Sequence, residues 1–521
     1  MQGGGGLMGQ QPLPGSQSES APSIAPSFKR IRVANNEDID KTYPLLASYI
    51  KQPELAFTVD DFVADERGAD GWGGCRMWGD NEIDPRFKRP AIAVQDDVHS
   101  TIETYVQGLQ LGDDTTLSMI KALDWKKSQM KGEVPDSPQG FDRHNWDYAS
   151  TAIVILVSLC KNVTNLYLGN VGPSTVLNHY LLRSNYRLIP EPGLQLVKRV
   201  EILPSDHRTW EDRVYQSVEL LDYFRYFHRL PMLEDVFMDG IAEYQANRES
   251  FPPGTSNLKK IRIEHTDMSS GMLATILRIP RRLEELHVQE GGLWSVDGGS
   301  PHIVPKTLSK ALLDNKETLR VLDLDIGRAM VATVYGESRG MGYEAPDGME
   351  EFEADYGESW EEYYAHERDE YFDLDLAEAD SSRPLLADLV PSTRTYGYTI
   401  GSLHDLTALT HLSLNFRFLF GPEKHHERPC HLAEAPAIRL IDALPPKLEF
   451  LCLYNYVRGE NVDIDELVDE LLNNMATRLP RLQTVRGVTE TVRSEGSKYD
   501  EHDSEEELWQ RPEVDLGWVP A

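Results

Sequence analysis

Apolar residues recur along this chain at one fixed spacing, aliphatic-x-x-aliphatic-x-aliphatic. The copies are Val163/Leu166/Leu168, Val197/Val200/Ile202, Leu233/Val236/Met238, Leu258/Ile261/Ile263, Leu283/Leu286/Val288, Leu319/Leu322/Leu324, Leu409/Leu412/Leu414 and Leu448/Leu451/Leu453. A frayed ninth begins at Leu482/Val485. The last two positions of each copy lie two apart, so on a strand they point to one face. The first position brings the chain in from the preceding turn. Pro231, Pro280 and Pro446 stand just upstream of three copies.

Helical periodicity fills the gaps between copies. Val214, Val218, Leu221 and Phe224 predict one helix, and Ile464, Leu467, Val468, Leu471, Leu472 and Met475 predict another. Leu308 and Leu312 make a shorter stripe. The run AIVILVSL (152–159) stands where other units have a helix and is read as one. Strand, turn, helix and turn in repetition predict an α/β protein of parallel strands, a right-handed solenoid. No single unit can bury its own apolar face, so stacked neighbours make the core. A buried Leu side chain contributes roughly 1.5–3 kcal/mol. Some two dozen ladder positions therefore supply ample burial against chain entropy.

Five segments carry a resemblance: YPLLASYIKQPELAFTV (43–59), LCKNVTNLYLG (159–169), LSKALLDNKETLRVLDLDI (308–326), LTALTHLSLNF (406–416) and LPPKLEFLCLY (444–454). The chain resembles the leucine-rich-repeat proteins of filamentous fungi, of the F-box-related type, over residues 30–491 apart from one insert. The resemblance implies an irregular leucine-rich-repeat solenoid, a horseshoe with parallel strands on its concave face and helices outside. Two features depart from the family. No Leu-Pro-x-Glu turn opens an N-terminal helical module, so the F-box itself is not found. The Asn or Cys expected three residues after the strand's last Leu is replaced by Val171, Gly291, Gly327, Arg417 and Tyr456. Without an asparagine ladder, the turns must satisfy their backbone groups in another way.

The organisation follows from these limits. Residues 1–26 read as a disordered Gly/Ser/Pro-rich tail. Residues 27–327 read as the first part of the solenoid and 397–491 as its last repeats. Residues 328–396 read as an acidic-aromatic insert, largely disordered, and 492–521 as an acidic tail. Between positions 347 and 380 stand fifteen Asp or Glu and one Arg, with Phe352, Tyr356, Trp360, Tyr363, Tyr364, Tyr371 and Phe372 interleaved. The insert is expected to be mobile and to hang from the rim where the strand at 319–324 ends.

Charge narrows the function. Lys and Arg number 52 against 85 Asp and Glu, a net of −33. That excess opposes contact with nucleic acid and with anionic membrane. It favours basic protein partners where it is concentrated. Cys75, Cys160, Cys430 and Cys452 are sparse and form no CxxC, which predicts an intracellular protein, cytoplasmic or nuclear, without a disulfide framework. No secretory signal is read at the N-terminus, and no apolar run is long enough to span a bilayer.

Motifs that suggest chemistry are weak here. Gly336-Glu337-Ser338-Arg339-Gly340 matches a nucleophile elbow, but the glycines and proline that follow do not make the required helix. His425, His426, Cys430 and His431 cluster too tightly for a usual zinc site and read as a polar loop. GWGGC (71–75) reads as a turn. The expectation is a non-catalytic scaffold for protein binding, with no cofactor and no metal. Its docking residues would be those between ladder positions: Tyr167, Glu201, Phe237, Arg262, His287, Asp323, Ser413 and Cys452. Their neighbours two back are Asn165, Arg199, Asp235, Lys260, Glu285, Val321, His411 and Phe450. The rival readings are a substrate-recognition subunit of a ubiquitin ligase with a degenerate F-box, and a hydrolase. The form taken by residues 27–65, a helical trio or a first repeat, separates the first of these from the scaffold.

Overall fold

The structure is a computed structural model that describes residues 26–65, 96–132, 138–172, 174–202, 215–218, 220–243, 251–293, 305–326, 370–383, 399–420, 439–494 and 516–521. Its strands are β1 (Phe28–Val33), β2 (Asp61–Ala64), β3 (Asn165–Leu168), β4 (Arg199–Ile202), β5 (Gln216–Val218), β6 (Asp235–Asp239), β7 (Ile241–Glu243), β8 (Lys260–Thr266), β9 (Glu285–Glu290), β10 (Val321–Asp325), β11 (His411–Asn415), β12 (Phe450–Tyr454), β13 (Thr484–Arg486) and β14 (Val519–Pro520). Its helices are α1 (Asn36–Lys51), α2 (Pro53–Ala56), α3 (Asp96–Gly108), α4 (Asp113–Met130), α5 (Pro138–Leu159), α6 (Val176–Asn185), α7 (Leu220–Arg225), α8 (Ser270–Arg278), α9 (Pro305–Leu313), α10 (Glu370–Glu378), α11 (Phe416–Phe420), α12 (Leu440–Ala443) and α13 (Val462–Arg478).

The fold is α/β. One open sheet of 12 strands runs in the order β13-β12-β11-β10-β9-β8-β6-β4-β3-β2-β1-β14, with β5 and β7 forming a separate pair. From β1 to β13 every neighbouring pair is parallel, and the sheet grows in chain order. Two apolar rows cross it in register. One passes through Ile31, Phe62, Leu166, Val200, Val236, Ile261, Leu286, Leu322, Leu412 and Leu451. The other lies two residues on, at Val33, Ala64, Leu168, Ile202, Met238, Ile263, Val288, Leu324, Leu414 and Leu453. Both rows are buried in one continuous core with residues of the helices, among them Leu156, Phe224, Ile276, Leu312 and Val468.

Residues 27–65 form β1, α1, α2 and β2, the first strand–helix–strand unit. Phe28/Ile31/Val33 and Val59/Phe62/Ala64 repeat the ladder spacing with Phe and Ala admitted. Helices α1, α8 and α13 start at residues whose side chains cap the first turn. Asn35 accepts from Asp38 N, Ser269 from Met272 N, and Asn461 from Asp463 N and Ile464 N.

The turns satisfy their backbone groups by a repeated device. The carbonyl just before one strand accepts two successive N–H groups at the entry of the next. Thr164 O takes Lys198 N at 2.8 Å and Arg199 N at 3.2 Å; Glu284 O takes Arg320 N at 2.8 Å and Val321 N at 3.2 Å. Two buried asparagines also bridge neighbouring units. Asn315 donates to Leu277 O (3.0 Å) and accepts from Leu283 N (3.0 Å). Asn185 donates to Arg225 O (2.7 Å) and accepts from Arg229 N (2.9 Å). On the exit side, Asp65, Asp239, Asp325 and Asn415 are buried one residue after the second ladder position, not three.

Three expectations change. Val218 ends the short strand β5, and the helix begins only at Leu220, so the stripe from Val218 to Phe224 divides between two elements, while Val214 lies outside the described residues. β-Branched Val218 suits a strand as well as a helix. The second change concerns the acidic tract. Residues 370–383 do not hang from the rim where β10 ends. They lie along the helix-to-strand turns before β4, β6, β8 and β9. Tyr371 stacks on Tyr186 at 4.8 Å. Asp375 is fully buried, accepting from the Tyr186 hydroxyl at 2.6 Å and meeting His228 Nε2 at 2.9 Å. Asp380 N bonds Pro253 O (3.1 Å), and Arg383 reaches Pro280 O and Arg281 O. The acidic stretch before residue 370 lies outside the described residues, as do residues 384–396 and 1–25. Third, the tail reading of 492–521 fails at both described ends. Val492 bridges to Tyr454, Ser494 bonds buried Asp325, and β14 pairs antiparallel with β1.

Candidate functional site

Alternation puts the remaining strand residues on the face opposite the helices, and the parallel register aligns them into two further rows. Tyr167, Glu201, Phe237, Arg262, His287, Asp323, Ser413 and Cys452 are successive partners in one row. Asn165, Arg199, Asp235, Lys260, Glu285, Val321, His411 and Phe450 are partners in the other. All the residues expected to share a face do share one. β1 and β2 extend the rows with Arg30 and Asp61, and with Arg32 and Val63.

The two ends of this face differ in chemistry. From β1 to β9 opposite charges alternate across strands. Arg30 pairs with Asp61 at 2.9 Å, Arg199 with Glu201 at 2.8 Å and Asp235 at 3.3 Å, and Lys260 with Glu285 at 2.8 Å. The hydrogen bond to Glu285 holds the Lys260 ammonium above its ordinary value, and burial, then Glu201 and Asp61, raises the Tyr167 phenol. The Arg30 guanidinium lies over the Tyr167 ring at 5.8 Å. These pairs are solvent-facing, so each contributes about 0–1 kcal/mol, and they serve register more than stability.

From β10 to β12 the face loses charge. Val321, His411 and Phe450 form one row, with His411 and Phe450 stacked at 5.9 Å. Beside them are Asp323, Ser413 and Cys452. The Tyr454 hydroxyl reaches over β11 to Asp323 at 3.0 Å. Burial and Asp323 hold that phenol well above its ordinary value. Cys452 corrects the expectation of a docking residue: it is 4% exposed, and burial and then Asp323 push its thiol up to about 11. It packs beneath the surface and offers no thiolate near neutral pH.

Along both rows, from Arg30 and Arg32 to Thr484 and Arg486, six cations stand against five carboxylates. The net of +1 belongs to a chain whose net is −33. Ser338 and the cluster His425, His426, Cys430 and His431 lie outside the described residues, as does Cys75. Among the described residues no helix is long and apolar enough to cross a membrane. Comparison of the chain with family models, with curated proteins and with solved structures finds no match.

Sequence reasoning missed two groups. One is the buried pair His228–Asp375, whose partners are 147 residues apart and carry no spacing signal. The other is His99 with Glu103 and Asp124. His99 and Glu103 stand four apart on α3, a visible helical-face pair, but Asp124 joins them only because α3 and α4 pack together.

Proposed function

We propose that this chain is a non-catalytic scaffold for protein–protein interaction, an irregular leucine-rich-repeat solenoid whose exposed strand face is the concave docking surface. The observation that carries the reading is the pair of in-register polar rows, which end in the low-charge patch Val321, His411 and Phe450. Regular strands hold these side chains in fixed positions at little entropic cost, and aromatic residues amid few charges are what interface centres favour. The alternating pairs from β1 to β9 would set orientation rather than affinity.

The formation of β1, α1, α2 and β2 by residues 27–65 favours a first repeat over an F-box-like helical trio. Cys160 and Cys452 are free thiols, which suits an intracellular site, cytoplasmic or nuclear. The test is affinity capture with the intact chain, beside a His411→Ala/Phe450→Ala variant and an Arg199→Ala/Lys260→Ala variant. The aromatic variant is expected to lose partners at unchanged stability, by about tenfold or more in affinity. The charge variant should change the salt dependence and on-rate of binding more than its strength. Unchanged capture by the aromatic variant would remove the face from the docking role.

A further inference from the structure

The helical side of the molecule holds a cluster that the docking face does not use. His99 and Glu103 stand one turn apart on α3, and Asp124 projects from neighbouring α4. His99 Nε2 lies 3.1 Å from Glu103 Oε1 and 3.0 Å from Asp124 Oδ1. One ligand atom from each of the three falls within 4.8 Å of the others. The imidazole side chain is 4% exposed, Glu103 31% and Asp124 60%, so a buried nitrogen faces two carboxylates that open to solvent. The other ring nitrogen is held from behind, Nδ1 lying 2.7 Å from the hydroxyl of buried Tyr43.

We propose that His99, Glu103 and Asp124 form a binding site for one divalent ion of the zinc class. Bonds of about 2.0–2.2 Å to a tetrahedral ion place its ligand atoms roughly 3.4 Å apart, so the two spacings from His99 Nε2 need to open by only a few tenths of an ångström. The donor set is one imidazole nitrogen and two carboxylate oxygens. Magnesium and calcium favour all-oxygen shells, and copper(I) favours sulfur, so the set suits zinc, cobalt or nickel. Three protein ligands leave a fourth position, on the open side by Asp124, for water. Tyr43 supplies the outer-shell partner that metal-bound histidines regularly have. When Nε2 binds the ion, the one imidazole proton sits on Nδ1 and is donated to the Tyr43 oxygen.

A divalent cation would neutralise the carboxylates and tie α3 and α4 to α1, through Tyr43.

The test uses the full chain, stripped by chelator and titrated with Zn²⁺ by calorimetry and with Co²⁺ by visible absorption. One equivalent should bind, the cobalt spectrum should be tetrahedral without thiolate charge transfer, and zinc should raise the melting temperature. Glu103→Gln and Asp124→Asn change partly exposed side chains and should leave the circular dichroism intact, yet weaken zinc binding about tenfold or more. Two results would overturn the site: no saturable zinc binding, or binding unaffected by both substitutions. Binding lost instead on replacing His425, His426, Cys430 and His431 would also count against it, by moving the ion to that cluster.

Discussion

At the scale of single residues, the molecule depends on side chains that complete its neighbours' backbones. Asn315 is fully enclosed and bonded to both the unit before it and the turn that enters β9. Replacing it with Ala leaves the Leu283 N–H and the Leu277 carbonyl buried without that partner. The expected loss is about 1–3 kcal/mol, because an unsatisfied buried group costs its desolvation penalty. Urea unfolding measures it, with Glu284→Ala as control, since a change outside the core should shift stability by less than about 0.5 kcal/mol. A parent-like midpoint for Asn315→Ala would mean that water replaces the amide at no cost. The ladder residues behave differently: they bury apolar area without direction, which is why Leu, Ile, Val, Met, Phe and Ala all occupy them.

At the scale of elements, the repeated strands were legible in the sequence because their signal is local. Two apolar residues two apart, with a third three earlier, mark each strand, and eight copies align in one register. β1 and β2 escaped because the pattern admitted only aliphatic residues, whereas Phe28 opens the first copy and Phe62 stands inside the second. The two rows on the opposite face were legible for the same reason, being the complement of the ladder. The packing of residues 370–383 was not legible, because its apolar residues form no regular stripe and its anchor is one buried carboxylate. Asp375 is set against Tyr186, His228 and Arg229, with Glu378 paired to Arg229. Burial and then Asp375 raise the Tyr186 phenol, so its hydroxyl stays a donor. Asp375→Ala should cost about 3 kcal/mol or more, the range for removing one partner of a buried charged pair. Amides of residues 371–379 should then exchange quickly, whereas in the parent they are expected to be protected. If the parent already exchanges there as fast as an unfolded peptide, this segment is not a structural strap.

At the scale of the whole molecule, an open parallel sheet has two edges, and an uncovered edge is a template for pairing with another chain. The far edge, β13, is only three residues long and carries exposed Arg486. The near edge, β1, has six residues and is covered by the chain's own C-terminus. Phe28 pairs with Pro520 and Arg30 with Val519, and Ala521 N donates to Ser27 O at 3.0 Å. Trp518 fixes this cover: its ring meets Phe28 edge-on at 5.0 Å, and its indole N–H donates to Asp38 at 2.7 Å. Asp38 is wholly buried and also takes Arg32 Nε at 2.7 Å, so it keeps a cationic partner if the indole leaves. A chain ending at residue 515 should therefore still fold, with a stability loss of about 1–3 kcal/mol from the lost indole bond and apolar contact. Amides on the outer edge of β1 should exchange faster, while those of β10 to β12 should not change. The bare edge should also make the truncated chain self-associate as its concentration rises, which sedimentation velocity would detect. Trp518→Ala should reproduce part of the exchange effect with the strand still present. Unchanged exchange along residues 28–33 in the truncated chain would show that β14 lies against the sheet without closing it.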